Sequence, residues 1–212
     1  MSERFTAKTV QRITEALATA YPEAAPALNF STPFELLVAT VLSAQCTDKR
    51  VNAVTKELFE KYKTAEDFAD MNPQDLERII FTCGFYRTKA ANIIACAKEI
   101  ATNYGGEIPA DIESLTALPG IGRKSANVIL SEIYKANAFA VDTHVMRVIV
   151  RLGIYDRKDP VKIERKVLEI LDNNRLSVAH RLLVFFGRYR CHARSPECEG
   201  CRLKEYCNNN LR

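Results

Sequence analysis

Apolar residues recur at helical spacing along almost the whole of this 212-residue chain, and no stretch shows sustained period-2 alternation between hairpin turns. Val10, Ile13, Ala16, Leu17 and Ala20, for example, fall on one helical stripe. Helix breakers are scarce: 8 Gly and 8 Pro, well under the roughly 12% of average usage. Helix starts are explicit. Thr32-Pro33-Phe34-Glu35 supplies a capping hydroxyl, a proline whose missing N–H costs nothing at the first helical position, and a glutamate three residues after the cap. Asn72-Pro73 and Asp159-Pro160 repeat the device. Stops are marked by Gly105 and Gly106 after the stripe Ile93, Ile94, Ala97, Ile100, Ala101, and by Gly153 after Val148 to Leu152. The pattern predicts an all-α protein of about ten helices joined by short loops.

Several classes are excluded by composition. With 47% hydrophobic and 26% charged residues the chain is neither disordered nor of low complexity. Its longest charge-free run, Leu36 to Thr47, contains Thr, Ser and Gln and is far short of the roughly 20 apolar residues of a membrane span. The first 22 residues mix charge with helical spacing and lack an apolar signal core, so the expectation is an intracellular chain with no membrane partner. Charge is unevenly distributed. Residues 26–136 carry 12 Lys/Arg against 14 Asp/Glu, whereas 137–212 carry 15 against 9, with Arg181, Arg188, Arg190 and Arg194 near the terminal cysteines. A basic C-terminal third suits a polyanion such as nucleic acid.

Seven cysteines are many for a reducing compartment, and an odd number cannot all pair, so metal ligation takes precedence over disulfides. Cys191, Cys198, Cys201 and Cys207 form C-x6-C-x2-C-x5-C within 17 residues. Four thiolates satisfy either a tetrahedral zinc or a cubane iron-sulfur cluster. Only Cys198 and Cys201 have the short separation of a zinc ribbon, which tilts the spacing toward iron and sulfur without deciding it. Cys46, Cys83 and Cys96 sit among apolar neighbours and are expected to be small core residues.

Leu118-Pro119-Gly120-Ile121-Gly122 reads as a tight turn between a short helix at 111–117 and a helical run at 125–134. Its glycines permit a sharp turn and close approach of a ligand, and the free N–H groups at the next helix start suit a phosphate oxygen. Lys124 stands in the first turn of that helix, where the dipole disfavours a cation by roughly 0.3–1 kcal/mol. Stability did not obviously select it, which leaves a snorkelling surface lysine, a phosphate contact or, with further desolvation, a free-amine nucleophile. Asp142 precedes the periodic run His144 to Leu152. It reads as an N-cap, a place where a carboxylate stays ionised and could support a positive sugar-like transition state. A weaker echo of the hairpin, Gly84-Phe85-Tyr86-Arg87-Thr88-Lys89, reads as an ordinary helix corner.

Together, LPGIGRKSANVIL (118–130), VDTHVMRV (141–148), the four-cysteine loop and Leu42-Ser43-Ala44-Gln45 with Thr47-Asp48 resemble the endonuclease III family of helix-hairpin-helix DNA glycosylases. The resemblance implies a two-lobed all-α fold: a six-helix barrel domain with the hairpin at 26–136, and a cluster domain made of 1–25 and 137–212 around one [4Fe-4S] cluster. It implies a monomer in the cytoplasm, at the nucleoid, whose partner is duplex DNA bearing an oxidised or ring-saturated pyrimidine or an abasic site. Lys124 matches the nucleophile that forms a Schiff base before β-elimination, and Asp142 the assisting carboxylate. Gln45 matches the residue that fills the gap left by a flipped nucleotide. Phe85 stands where many members carry a leucine wedge. Leu118, Gly120, Gly122, Arg123, Ser125 and His144 fall at DNA-contacting positions, and Cys191, Cys198, Cys201 and Cys207 match the cluster ligands. An adenine glycosylase with four terminal cysteines would lack the hairpin lysine and carry a carboxylate in the early helix, where Leu36 to Thr47 has none. A cluster-bearing DNA-binding protein without catalysis would need neither Lys124 nor Asp142.

Overall fold

The computed structural model describes residues 6–208. Among them the chain forms eleven α-helices and a 3-10 turn: α1 (Ala7–Ala20), α2 (Pro33–Ser43), α3 (Asp48–Lys61), α4 (Ala65–Ala69), α5 (Pro73–Ile79), α6 (Tyr86–Asn103), α7 (Ile112–Ala117), α8 (Arg123–Ile133), α9 (Thr143–Leu152), α10 (Pro160–Leu168), α11 (Asn173–Tyr189) and the turn Lys204–Tyr206. No β-strand occurs among the described residues. The caps fall where the sequence places them. Thr32 Oγ1 accepts from the Glu35 amide at 3.1 Å while Glu35 reaches back to the Thr32 amide, closing the box at the start of α2. Asn72 and Asp159 cap α5 and α10 ahead of their prolines, and Gly153 ends α9 in the left-handed region at φ 76°.

The chain divides into two compact units, Pro26–Tyr134 and a second made of Met1–Ala25 with Lys135–Arg212. The first is organised around α2, in which every residue from Phe34 to Leu42 is buried. A helix apolar on all sides has no solvent face and belongs at the centre of a bundle. It packs against α3, α6 and α8. Each fully buried Leu or Val on it is stabilising by roughly 1.5–3 kcal/mol. This central helix fixes the origin of the loop that carries Gln45.

The second unit is built on one apolar cluster. Val10, Ile13 and Leu17 of α1 meet Val145, Val148, Ile149 and Leu152 of α9, Ile163 and Val167 of α10, and Leu176, Leu182 and Phe186 of α11. Leu203 from the cysteine loop is also buried in it, and Cys191, Cys201 and Cys207 pack at its margin. The loop is thus held onto the helices by an apolar anchor. None of the described helices is long and apolar enough to cross a membrane.

Candidate functional site

The hairpin is assembled by α7, a five-residue turn and α8. Asp111 caps α7 by accepting from the Ser114 amide at 2.7 Å. Leu118 follows as its buried C-cap, and Ile121 is buried with its amide donating to the Leu118 carbonyl at 3.1 Å. Between them Gly120 has φ 80°, and a Cβ there would lie 3.0 Å from Cβ of Asn92 on α6. Left-handed backbone and close packing together demand glycine here. Gly122 is the N-cap of α8 and, having no side chain, leaves the first amides of the helix uncapped from within. A Cβ on Gly122 would meet nothing within 4 Å, so the helix start is open to a ligand. Arg123 and Lys124 are exposed on this first turn and Ser125 is half-buried. The turn can therefore present amide N–H groups and two cations to an oxyanion.

Two further loops of the same unit lie close together. Gln45, just past α2, has φ 52°, and Phe85, the N-cap of α6, has φ 58° and ψ 31°. Both are exposed non-glycine residues in the left-handed region, an arrangement that costs roughly 1–3 kcal/mol and concentrates at functional sites. A Cβ on Gly84 would sit 3.7 Å from the Gln45 carbonyl oxygen, which shows how closely the two loops approach. Lys89, on the first turn of α6, is only 5% exposed, and its Nζ donates to the Leu42 carbonyl at 2.8 Å, satisfying the end of α2. The hairpin echo thus carries a buried structural lysine, whereas Lys124 is exposed.

In the second unit Asp142 caps α9, its Oδ1 accepting from the Val145 amide at 2.8 Å. It is half-buried. His144 lies two residues on, with Nδ1 3.1 Å from Arg147 Nη2. Arg147 donates to the Gly187 and Cys191 carbonyls at 2.6 and 3.0 Å. Gly187 is required by contact: a Cβ there would be 2.9 Å from Cβ of His144. Lys124 and Asp142 belong to different units, and Gln45 and Phe85 share the unit of Lys124.

Cys191, Cys198, Cys201 and Cys207 line one cavity whose apolar wall is Val148, Leu152, Phe186 and Leu203. Among the described residues no three His, Cys, Asp or Glu side chains are grouped tightly enough to hold a single metal ion. Four thiols around one cavity are the donor set of a cubane cluster or of a tetrahedral zinc. The bracing is cationic. Arg151 donates to Cys191 Sγ at 3.2 Å, to the His192 carbonyl at 2.6 Å and to the Ala193 carbonyl at 3.0 Å, and Arg190 donates to the Glu199 carbonyl at 2.6 Å. Arginines beside thiolates offset the charge of the ligand set. Sequence proximity had pointed to the arginines at 181–194. Arg190 is one of these, and Arg147 and Arg151, four residues apart on α9 and therefore on one helical face, add braces from a distant part of the chain.

The three remaining thiols divide. Cys83 and Cys96 are fully buried, and burial pushes their thiols up to about 11 and about 12. Cys46, expected in the core, is half-exposed: it follows Gln45 on the loop where the chain leaves α2.

Residues 38–173 match the profile of the HhH-GPD superfamily base excision DNA repair protein, and residues 191–207 match the iron-sulfur binding domain of endonuclease III. The chain is 48% identical to the endonuclease III of Bacillus subtilis (strain 168) over 88% of its own length and 86% of that protein. Its fold superposes on a non-covalent endonuclease III–DNA complex with a TM-score of 0.89 at 41% identity, over 98% of this chain and 97% of that one. For a trapped endonuclease III–DNA covalent intermediate the TM-score is 0.88 at 41% identity, over 98% and 100%. Identity at this level over nearly the full length settles the kinship: the chain belongs to the endonuclease III family, the DNA glycosylase/AP lyases of base excision repair.

Proposed function

We propose that this chain excises oxidised or ring-saturated pyrimidines from duplex DNA and cleaves the strand 3′ to the resulting abasic site, with Lys124 as nucleophile and Asp142 as the assisting carboxylate. The observation that carries the assignment is the exposed Lys124 on the first turn of α8, behind a glycine N-cap that leaves the helix amides open. Those amides, with Arg123 and Ser125, hold the DNA backbone, while Leu118 and Gly120 shape the turn that presents them. Once the damaged nucleotide has left the stack, Gln45 fills the gap, Phe85 wedges between neighbouring bases and His144 contacts the strand.

The Lys124 amine attacks C1′, and the glycosidic bond breaks with its electron pair leaving on the base. Asp142 stabilises the positive charge that develops on the sugar and takes a proton from the attacking amine. The nitrogen lone pair then opens the sugar ring: the C1′–O4′ bond breaks, O4′ takes up a proton, and the resulting protonated Schiff base at C1′ acidifies C2′. Loss of a C2′ proton expels the 3′ phosphate, and hydrolysis frees Lys124.

Cys191, Cys198, Cys201 and Cys207 would hold the [4Fe-4S] cluster. When bound, it supplies four iron-thiolate bonds that tie the loop 191–207 to itself, and no bond-breaking step depends on it. Anaerobically purified protein is expected to be brown with four iron per chain; stoichiometric zinc would contradict the ligand assignment. The chain acts as a monomer on DNA in the cytoplasm.

The test is strand cleavage of a duplex containing thymine glycol or an abasic site. Wild-type protein should leave a 3′ end produced by β-elimination, and Lys124→Ala should abolish that product while retaining DNA binding. Undiminished cleavage by Lys124→Ala would refute the assignment.

A further inference from the structure

Outside the proposed catalytic machinery, the Pro26–Tyr134 unit carries two thiols on adjoining loops. Cys46 follows Gln45 and is half-exposed; Cys83 precedes Gly84 and is fully buried. Their loops meet at the adjacent backbone positions, where a Cβ on Gly84 would lie 3.7 Å from the Gln45 carbonyl oxygen. Burial first, and Cys46 next, raise the Cys83 thiol, while the nearby cations Lys89 and Arg50 act to lower it. Lys89 is fixed there by its bond to the Leu42 carbonyl at 2.8 Å. A solvent-accessible thiol with a second thiol on the adjoining loop is the arrangement of a redox-sensitive pair. Cys96, fully buried, is the inert contrast in the same unit.

We infer that Cys46 and Cys83 are a modification site, a dithiol that a hydroperoxide converts to a disulfide joining the Gln45 loop to the Phe85 loop. Cys46, the accessible member, attacks one oxygen of hydrogen peroxide as thiolate. The O–O bond breaks, hydroxide leaves, and Cys46 becomes a sulfenic acid. Cys83 then attacks that sulfur: the S–O bond breaks, the S–S bond forms, and the Cys83 proton leaves with the hydroxyl as water. In sum, two thiols and one peroxide give one disulfide and two waters. A small-molecule dithiol reverses the bond by exchange. Such disulfides are transient in a reducing compartment, as suits a sensor.

The mechanical consequence follows from geometry. A disulfide of about 2.05 Å is shorter than any hydrogen-bonded sulfur contact, so oxidation draws together two loops whose next residues, Gln45 and Phe85, both stand in the left-handed region. Displacements of about 1 Å in positioning groups cost up to about 100-fold in rate. Turnover on a lesion duplex is expected to fall by roughly 10- to 100-fold on oxidation and to return with dithiothreitol. This effect on DNA rests on the roles proposed for Gln45 and Phe85; the disulfide itself does not.

The experiment is titration of the cluster-loaded protein with hydrogen peroxide, followed by peptide mapping, with visible absorbance monitored to confirm an intact cluster. A cross-linked peptide containing Cys46 and Cys83, lighter by two hydrogens, absent from Cys46→Ser and Cys83→Ser and retained in Cys96→Ser, is the expected result. Cys46→Ser should also keep its activity under the same peroxide dose. Accumulation of Cys46 sulfinic acid beside a free Cys83 would overturn the inference, as would equal peroxide inactivation of Cys46→Ser and wild type. Should untreated, fully reduced protein fail to cleave lesion DNA, the proposed function falls, and the peptide map still decides the dithiol.

Discussion

A single side chain can be load and tool at once, and Asp142 shows how the two roles separate. Its Oδ1 accepts from the Val145 amide, and asparagine caps helices about as well as aspartate. Asp142→Asn should therefore melt close to wild type while losing the negative charge. The expected loss in turnover is about 10²- to 10⁴-fold, the usual worth of a positioned acid or base. Thermal unfolding and single-turnover cleavage measured on one preparation check both halves. Gly120 makes the opposite case, a residue whose whole contribution is backbone. With φ 80° and Asn92 Cβ 3.0 Å from where its Cβ would stand, Gly120→Ala should destabilise by about 1–2 kcal/mol. For a chain of this size that lowers the melting temperature by about 2–8 °C.

Helix limits were legible because their causes are local. Proline after a cap residue, glutamate three positions on and glycine at the stop act over four or five residues, so Thr32, Asn72, Asp159 and Gly153 could be read directly. Long-range partners could not. Nothing near Lys89 in the chain tells that it ends α2 at Leu42, nor that Arg147 and Arg151 join the nearer Arg190 in bracing the cysteine loop. Of the site, the hairpin turn and the four-cysteine spacing were visible as patterns; the approach of the Gln45 and Phe85 loops was not, because it depends on how α2 packs against α6. The caps also predict a pH response. Amides of Lys63 and Thr64 lower the Asp67 carboxyl, the Ser114 amide lowers Asp111, and the Lys162 amide lowers Asp159. Each folded value lies below the unfolded one of about 3.9, so the stabilisation is complete above that pH and is lost as pH falls through the lowered values. Helicity followed by circular dichroism should be flat from neutrality to about pH 5 and decline only below about pH 4.

Across the whole molecule the uneven charge becomes an affinity. The 137–212 segment is the basic one, and exposed Arg123 and Lys124 add two cations at the hairpin. DNA binding should weaken with salt, with log K falling by about 0.9 per neutralised phosphate for each unit of log salt. Arg123→Gln should reduce that slope by about 1; an unchanged slope would remove Arg123 from the phosphate contacts. Neither charge nor fold, however, tests the chemistry as directly as capture of the covalent intermediate. Borohydride added during reaction with a thymine-glycol or abasic duplex should reduce the Schiff base to a stable adduct, and peptide sequencing of that adduct should place the sugar fragment on Lys124. An adduct on any other amine, or none from a preparation that cleaves the strand, would contradict the assignment of Lys124 as the nucleophile.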